Sequence, residues 1–250
     1  MKTKTESKLV LKLLITLTTL TPTFAHADTG EVILGFLQKW GTPQIQQDRD
    51  TESFTSIRRN HAKELLGKFY QSSIVRKQGD KIKSLSEYIF QSTQRELRSK
   101  WKGQARTIAS AILSESKKYG FDPIFLMAVI ENESSFNVEA VGSVGEIGLM
   151  QITPQTARWI SKKYGIPFRG AKTLKDPVAN IALGSAYLSY LREKFDFKSN
   201  LYLAAYNMGT TKLIRNLAMQ RVPHQYPSRV MQRYVRFYSL ANGAHHVAMN

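Results

Sequence analysis

The sequence has no cysteine. Disulfide frameworks, thiolate zinc sites, thiol nucleophiles and lipid attachment through an N-terminal cysteine are thereby excluded. Acid is scarce toward the C-terminal side: beyond Pro154 only Asp176, Glu193 and Asp196 oppose 15 basic side chains, in a 250-residue chain of formal net charge +17. Such a field concentrates polyanions, whether nucleic acid, anionic lipid or acidic wall polymer, without choosing among them. Long apolar runs are missing too. The greasy stretch Leu13 to Leu20 is well short of the roughly 20 residues that span a bilayer. Lys2, Lys4, Lys8 and Lys12 precede and overlap it, and Pro22 and Ala25-His26-Ala27 follow. That order predicts a secretory signal over residues 1–27, cut after Ala27, and a mature chain in the periplasm or outside the cell. Export removes nucleic acid from the expected partners.

What is present suffices for a core. Hydrophobic residues make up 42% of the chain and aromatics 10%, which argues against disorder. Phe54, Ile57, His61, Leu65 and Phe69 recur at helical spacing, as do Ile82, Leu85, Ile89, Leu97 and Trp101. Residues 28–104 therefore read as a small helical N-terminal region. It carries no assignable chemistry and suits packing or contact with an envelope protein complex. Gly41–Asp50, with Pro43, reads as a loop or linker. From 105 to 242 the punctuation sharpens. Asp122-Pro123, Thr153-Pro154 and Asp176-Pro177 each place a capping side chain before a proline that opens a helix. Gly120, Gly165 and Gly209 read as helix stops. Val230, Tyr234, Phe237, Tyr238 and Ala241 follow the helical period, and no strand-like alternation is evident. The predicted fold is all-α, with 243–250 as a tail.

Ile124 to Ile130 is apolar all round, which marks a buried helix. It runs into Glu131-Asn132-Glu133. Leu126, Val129, Ile130 and Glu133 fall on one stripe, so Glu133 extends a buried face, whereas Glu131 lies with Met127 and Ala128. Desolvation and the negative end of its own helix both disfavour the charged form of Glu133. A general acid needs that environment; a frayed surface glutamate is the plainer alternative. Gly142, Gly145 and Gly148 break up the following loop. No strand precedes them and no Lys-Ser/Thr follows, so close backbone approach to an extended ligand is the better functional reading than a phosphate cradle, with a plain flexible loop as the alternative. Tyr206 and Asn207, ending a helix before Gly209, can stack on and hydrogen-bond a sugar, or simply pack and cap.

Together these residues resemble the catalytic domain of the soluble lytic transglycosylases, relatives of goose-type lysozymes. The resemblance rests on Glu133-Ser134 with Phe136-Asn137, on Ser143-x-Gly145-x-x-Gly148-Leu-Met-Gln151 with Pro154 and Thr156-Ala157, and on Ala205-Tyr206-Asn207-x-Gly209. It implies a mainly helical lysozyme-like domain over 105–242 in which Glu133 is the catalytic acid/base. Ser134, Ser143, Gln151, Tyr206 and Asn207 would contact substrate. The implied reaction cleaves the β-1,4 bond between N-acetylmuramic acid and N-acetylglucosamine of peptidoglycan glycan strands and closes a 1,6-anhydro ring, without metal or cofactor. Two departures stand out. Glu146 replaces a small residue of the glycine loop and is a candidate second carboxylate. A terminal Glu-Thr pair is replaced by Val230-Met231 before Tyr234-Val235.

A hydrolytic goose-type muramidase is the alternative enzyme. It needs a second acid, and Thr153 stands where those lysozymes place an Asp, leaving Glu146 or Glu139. A noncatalytic wall-binding or scaffold protein is the alternative outside enzymes. The basic surface also allows peripheral association with an anionic cell envelope. His61 reads as core, and His224 and His245-His246 lack partners at metal-ligand spacing. Trp40, Trp101 and Trp159 read as core or interface residues.

Overall fold

The computed structural model describes residues 43–241 apart from Asp80 and Lys83, with side chains from Phe54 onward. The expected signal segment 1–27, Trp40, His245-His246 and the tail 243–250 lie outside the described residues. By internal contacts the chain divides after Gln47, and the architecture below is that of the second unit, Asp48–Asn250.

Among the described residues there are ten α-helices and no strand; two isolated bridges join Val141 to Ile147 and Ile147 to Ile152. The helices are α1 (Pro43–Leu66), α2 (Ile74–Gly79), α3 (Leu85–Glu96), α4 (Ala105–Tyr119), α5 (Pro123–Ser134), α6 (Pro154–Tyr164), α7 (Pro177–Lys194), α8 (Ser199–Met208), α9 (Thr210–Ala218) and α10 (Gln225–Leu240). The all-α expectation holds. The loop expected over Gly41–Asp50 does not: residues 43–50 are the first turns of α1. A proline at the first helical position has no N–H to lose and a preset φ, so Pro43 opens a helix where a linker was expected.

The three proline-led starts are capped as the sequence predicts. Asp122 Oδ1 accepts from the Ile124 N–H at 2.9 Å, Thr153 Oγ1 from Thr156 at 3.1 Å and Asp176 Oδ1 from Ala179 at 2.7 Å. α5 is the central element, buried on every side from Pro123 to Ile130. α4 and α10 pack against it, and α7 packs against α4, α6 and α8. Ala62, Leu65, Val75 and Ile89 share this core with Ile112, Phe125 and Phe237.

One polar network runs through the core. Asp122 is fully buried; besides capping α5 it accepts from the hydroxyls of Tyr234 at 2.7 Å and Tyr238 at 2.5 Å, both on α10. The Arg58 Nε donates to the Tyr238 oxygen at 3.3 Å. His61 Nδ1 accepts from the Asp122 backbone N–H at 3.1 Å. Burial, reinforced by the nearby Arg192 charge, holds the His61 ring neutral. Its proton therefore sits on Nε2, which faces the Tyr202 oxygen at 3.4 Å. These bonds satisfy buried groups that would otherwise each cost about 1–3 kcal/mol. They also fix α10 antiparallel to α5. Tyr234 and Tyr238 meet the start of α5, and Tyr226 meets its end at Glu133. At 1.5 Å per residue Asp122 to Glu133 spans about 17 Å and Tyr226 to Tyr234 and Tyr238 about 12 and 18 Å, so the two ties are in register.

Candidate active site

α5 ends at Ser134, and Ser135 and Phe136 take left-handed backbone, with φ of 49° and 55°. The chain turns out of the helix there, leaving Glu133 in the last turn. Glu133 lines a cavity of about 390 Å³ with the loop 142–151, Tyr187 of α7 and the end of α8. The loop is stapled by Asn180 of α7. Its Oδ1 accepts from the Met150 N–H at 2.8 Å, and its Nδ2 donates to the carbonyls of Ile147 at 2.7 Å and Leu174 at 3.0 Å. Gly148 has φ +80°, and a Cβ there would strike the Asn180 amide and lie 2.6 Å from the Leu174 oxygen. A Cβ at Gly142 would strike the Glu146 carboxylate. At Gly142 and Gly148 the close neighbours are thus the protein's own groups, whereas at Gly145, with φ +90°, nothing lies within 4 Å of a Cβ position.

The Glu133 carboxyl is held at about 7 instead of 4.5. Burial is the main cause, and the negative charge of Glu146 adds to it. Two groups oppose the rise. The Tyr226 hydroxyl donates to Glu133 Oε1, and the Arg229 charge favours the carboxylate. Burial keeps the hydroxyls of Tyr226 and Tyr206 well above the ordinary tyrosine value of 10.0, so both remain donors.

Ser143, Gln151, Tyr206 and Asn207 line the cavity with Glu133, and so does Glu146. Tyr206 is buried and its hydroxyl donates to the Met150 carbonyl at 2.8 Å. Gln151 Nε2 donates to the carbonyls of Gly148 at 2.9 Å and Ala140 at 3.2 Å, bracing the loop. Asn207 is exposed at the end of α8. Ser134, expected in the groove, lies beneath it. Its hydroxyl faces the carbonyls of Leu149 at 2.8 Å and Ile130 at 3.1 Å and ties the loop to α5. Glu139 is an exposed partner of Lys100 outside the cavity. Glu131 pairs with Arg236 at 2.6 Å. Trp159 is 43% exposed and stands edge-on to Tyr190, with ring centroids 4.6 Å apart. Among the described residues no group of three His, Cys, Asp or Glu is placed to hold a metal ion.

The sequence reading missed Tyr226 and Arg229. Tyr226 lies four residues before Val230, so it extends the buried stripe of α10 and was within reach of the same periodicity.

A buried carboxyl titrating near neutrality in a cleft of a helical domain is the arrangement of an acid catalyst. Residues 110–226 match the family model described as the transglycosylase SLT domain. Among curated proteins it is 30% identical over 142 residues to a membrane-bound lytic murein transglycosylase C of Histophilus somni, covering 51% of this chain and 39% of that protein. It is 40% identical over 86 residues to the soluble lytic murein transglycosylase of Salmonella typhimurium, covering 34% of this chain and 13% of that one. The chain thus spans two fifths or less of the length of these relatives. A solved lytic transglycosylase Slt of Pseudomonas aeruginosa is 29% identical, covers 57% of this chain and 26% of that chain, and superposes with a TM-score of 0.49.

Tyr226→Phe is expected to move the alkaline limb of any pH–activity profile to higher pH. The hydrogen bond favours the carboxylate, so losing it raises the Glu133 pKa further. The maximal rate should fall roughly tenfold, the worth of one hydrogen bond to a charged group. An unmoved limb would contradict the assignment of that limb to Glu133.

Proposed function

We propose that the chain is a peptidoglycan lytic transglycosylase in which Glu133 is the only catalytic carboxyl. The observation that carries this reading is the Glu133 carboxyl, held at about 7 within the cavity. Protonated, it donates to the bridging oxygen of the β-1,4 bond between N-acetylmuramic acid and N-acetylglucosamine. Tyr226 occupies Oε1, so Oε2 is the oxygen that carries the proton. As the glycosidic bond breaks, the muramyl N-acetyl group steadies the positive charge at C1. The C6 hydroxyl of the same sugar then attacks C1, and the Glu133 carboxylate takes its proton. One bond forms and one breaks, the proton returns to Glu133, and no water is consumed. Ser143, Gln151, Tyr206 and Asn207 are assigned to glycan contact; Ser134 supports the loop instead.

This reading places the protein in the periplasm or outside the cell, by the expected signal segment. Among the described residues no helix is long and apolar enough to cross a membrane. The basic surface would hold anionic wall polymer, with attachment that weakens in salt. Contact with an envelope complex is assigned to the 28–104 region.

Glu146 lines the same cavity and favours a second reading, a hydrolase that uses it to orient water. Masses of the fragments released from peptidoglycan separate the two. The lyase gives 1,6-anhydro ends, and Glu146→Gln keeps most of the activity. Its alkaline limb should move to lower pH, because removing the Glu146 charge lowers the Glu133 pKa. Water-added ends, lost together with activity in Glu146→Gln, would establish the hydrolase.

A further inference from the structure

A second cavity, of about 310 Å³, lies between the end of α8, α9 and the start of α10. It shares Asn207 and Met208 with the Glu133 cavity, so the two meet at the end of α8. Tyr226 joins them from the other side, lining the second cavity while its hydroxyl donates to Glu133. The lining includes Arg221 and Arg229 but no Asp or Glu. Both arginines are exposed, and neither takes part in the ion pairs found among the described residues. The Arg229 guanidinium carbon lies 5.9 Å from the centre of the Tyr226 ring, and its charge reaches Glu133. It therefore stands beside the residue that joins the two cavities, and Arg221 lines the second cavity with it.

A concave site with two guanidinium groups outside those ion pairs suits a carboxylate, which a guanidinium can meet with two parallel N–H donors. We propose that this cavity is a carboxylate-binding subsite contiguous with the cleft, with Arg221 as its main ligand. It would hold a carboxylate carried by a sugar unit next to the one at Glu133. The inference rests on the glycan-cleaving reading. Two carboxylates share this chemistry: the free lactyl group of a peptide-free muramyl unit and those of the stem peptide. The subsite would make the enzyme prefer acidic glycans over neutral ones of equal length.

The test is binding by the full-length Glu133→Gln protein, which cannot consume its ligand. The probes are intact glycan strands bearing stem peptides, the same strands freed of peptide by an amidase, and neutral N-acetylglucosamine hexamers. In that background Arg221→Gln is expected to weaken binding of a carboxylate-bearing probe about tenfold, the worth of a charge-assisted hydrogen bond. Hexamer binding should stay unchanged, and Arg221→Lys should recover part of the loss. Loss confined to intact strands assigns the site to the stem. Loss confined to stripped strands assigns it to the lactyl group, and loss on both shows that it serves either. Equal weakening on all three probes, or no weakening on any, overturns the subsite while leaving the glycan reading in place. Failure of the parent Glu133→Gln protein to bind any probe, with its helical circular dichroism intact, overturns both.

Discussion

In the Glu133→Gln protein, release of soluble fragments from peptidoglycan is expected to fall about 10³- to 10⁴-fold, the upper range for loss of a general acid. A glutamine amide has the shape of the carboxyl and can still accept from Tyr226, but it can neither give nor take the proton. Glycan binding should survive. That outcome would also exclude a purely noncatalytic wall-binding role, for which the substitution would change nothing. The same variant is expected to be more stable than the parent at pH 8. The native carboxyl keeps its proton up to about 7, whereas the unfolded one loses it near 4.5. Between those values the folded state binds more protons, so stability falls as pH rises through the window, and the full cost remains above pH 7. Glutamine removes that cost, and thermal unfolding of both proteins at pH 4 and pH 8 checks the sign. A gain at pH 8 that vanishes near pH 4 is the expected pattern.

The second large effect is on stability and lies at the far end of α5. Asp122→Ala is expected to lower the unfolding free energy by roughly 3–5 kcal/mol, the range for removing one member of a buried charged network. Ile124 N–H, Tyr234 and Tyr238 lose their common acceptor, and Arg58, 6% exposed, loses the negative charge it faces. Asp122→Asn keeps an oxygen for the cap and should cost less. Urea denaturation reads both. Because the network also anchors α10, Asp122→Asn should weaken the hold of Tyr226 on Glu133 without touching the cavity. A loss of activity larger than its loss of stability would reveal that coupling, whereas full activity would show that Tyr226 is held independently.

The caps and the buried stripe were legible because they depend on local spacing. Asp122, Thr153 and Asp176 needed only a proline after them, and Glu133 needed only its position after Leu126, Val129 and Ile130. What could not be read was which helix closes on which. Tyr226 reaches Glu133 across 93 residues, and nothing in its own neighbourhood names that partner. Ser134 misled in the opposite way. It stands next to Glu133 in the motif, but one residue along a helix is a turn of 100°, which directs its hydroxyl to the Leu149 carbonyl beneath the cleft. The loop glycines mark close approach, and at Gly142 and Gly148 the near groups, Glu146 and Asn180, come from elsewhere in the protein. Pro43 suggests a linker by its residue type, yet it is the first residue of α1. In each case the residue type was informative and its partner was set by tertiary packing.

Carbon-13 NMR of glutamate side-chain carboxyls in the full-length protein, wild type beside Glu133→Gln, reads the proton on which the account depends. One resonance absent from the variant should titrate with a midpoint near 7. A midpoint for that resonance near 4.5, the ordinary glutamate value, would mean that Glu133 is ionised when the glycan bond must be protonated, and would contradict the account.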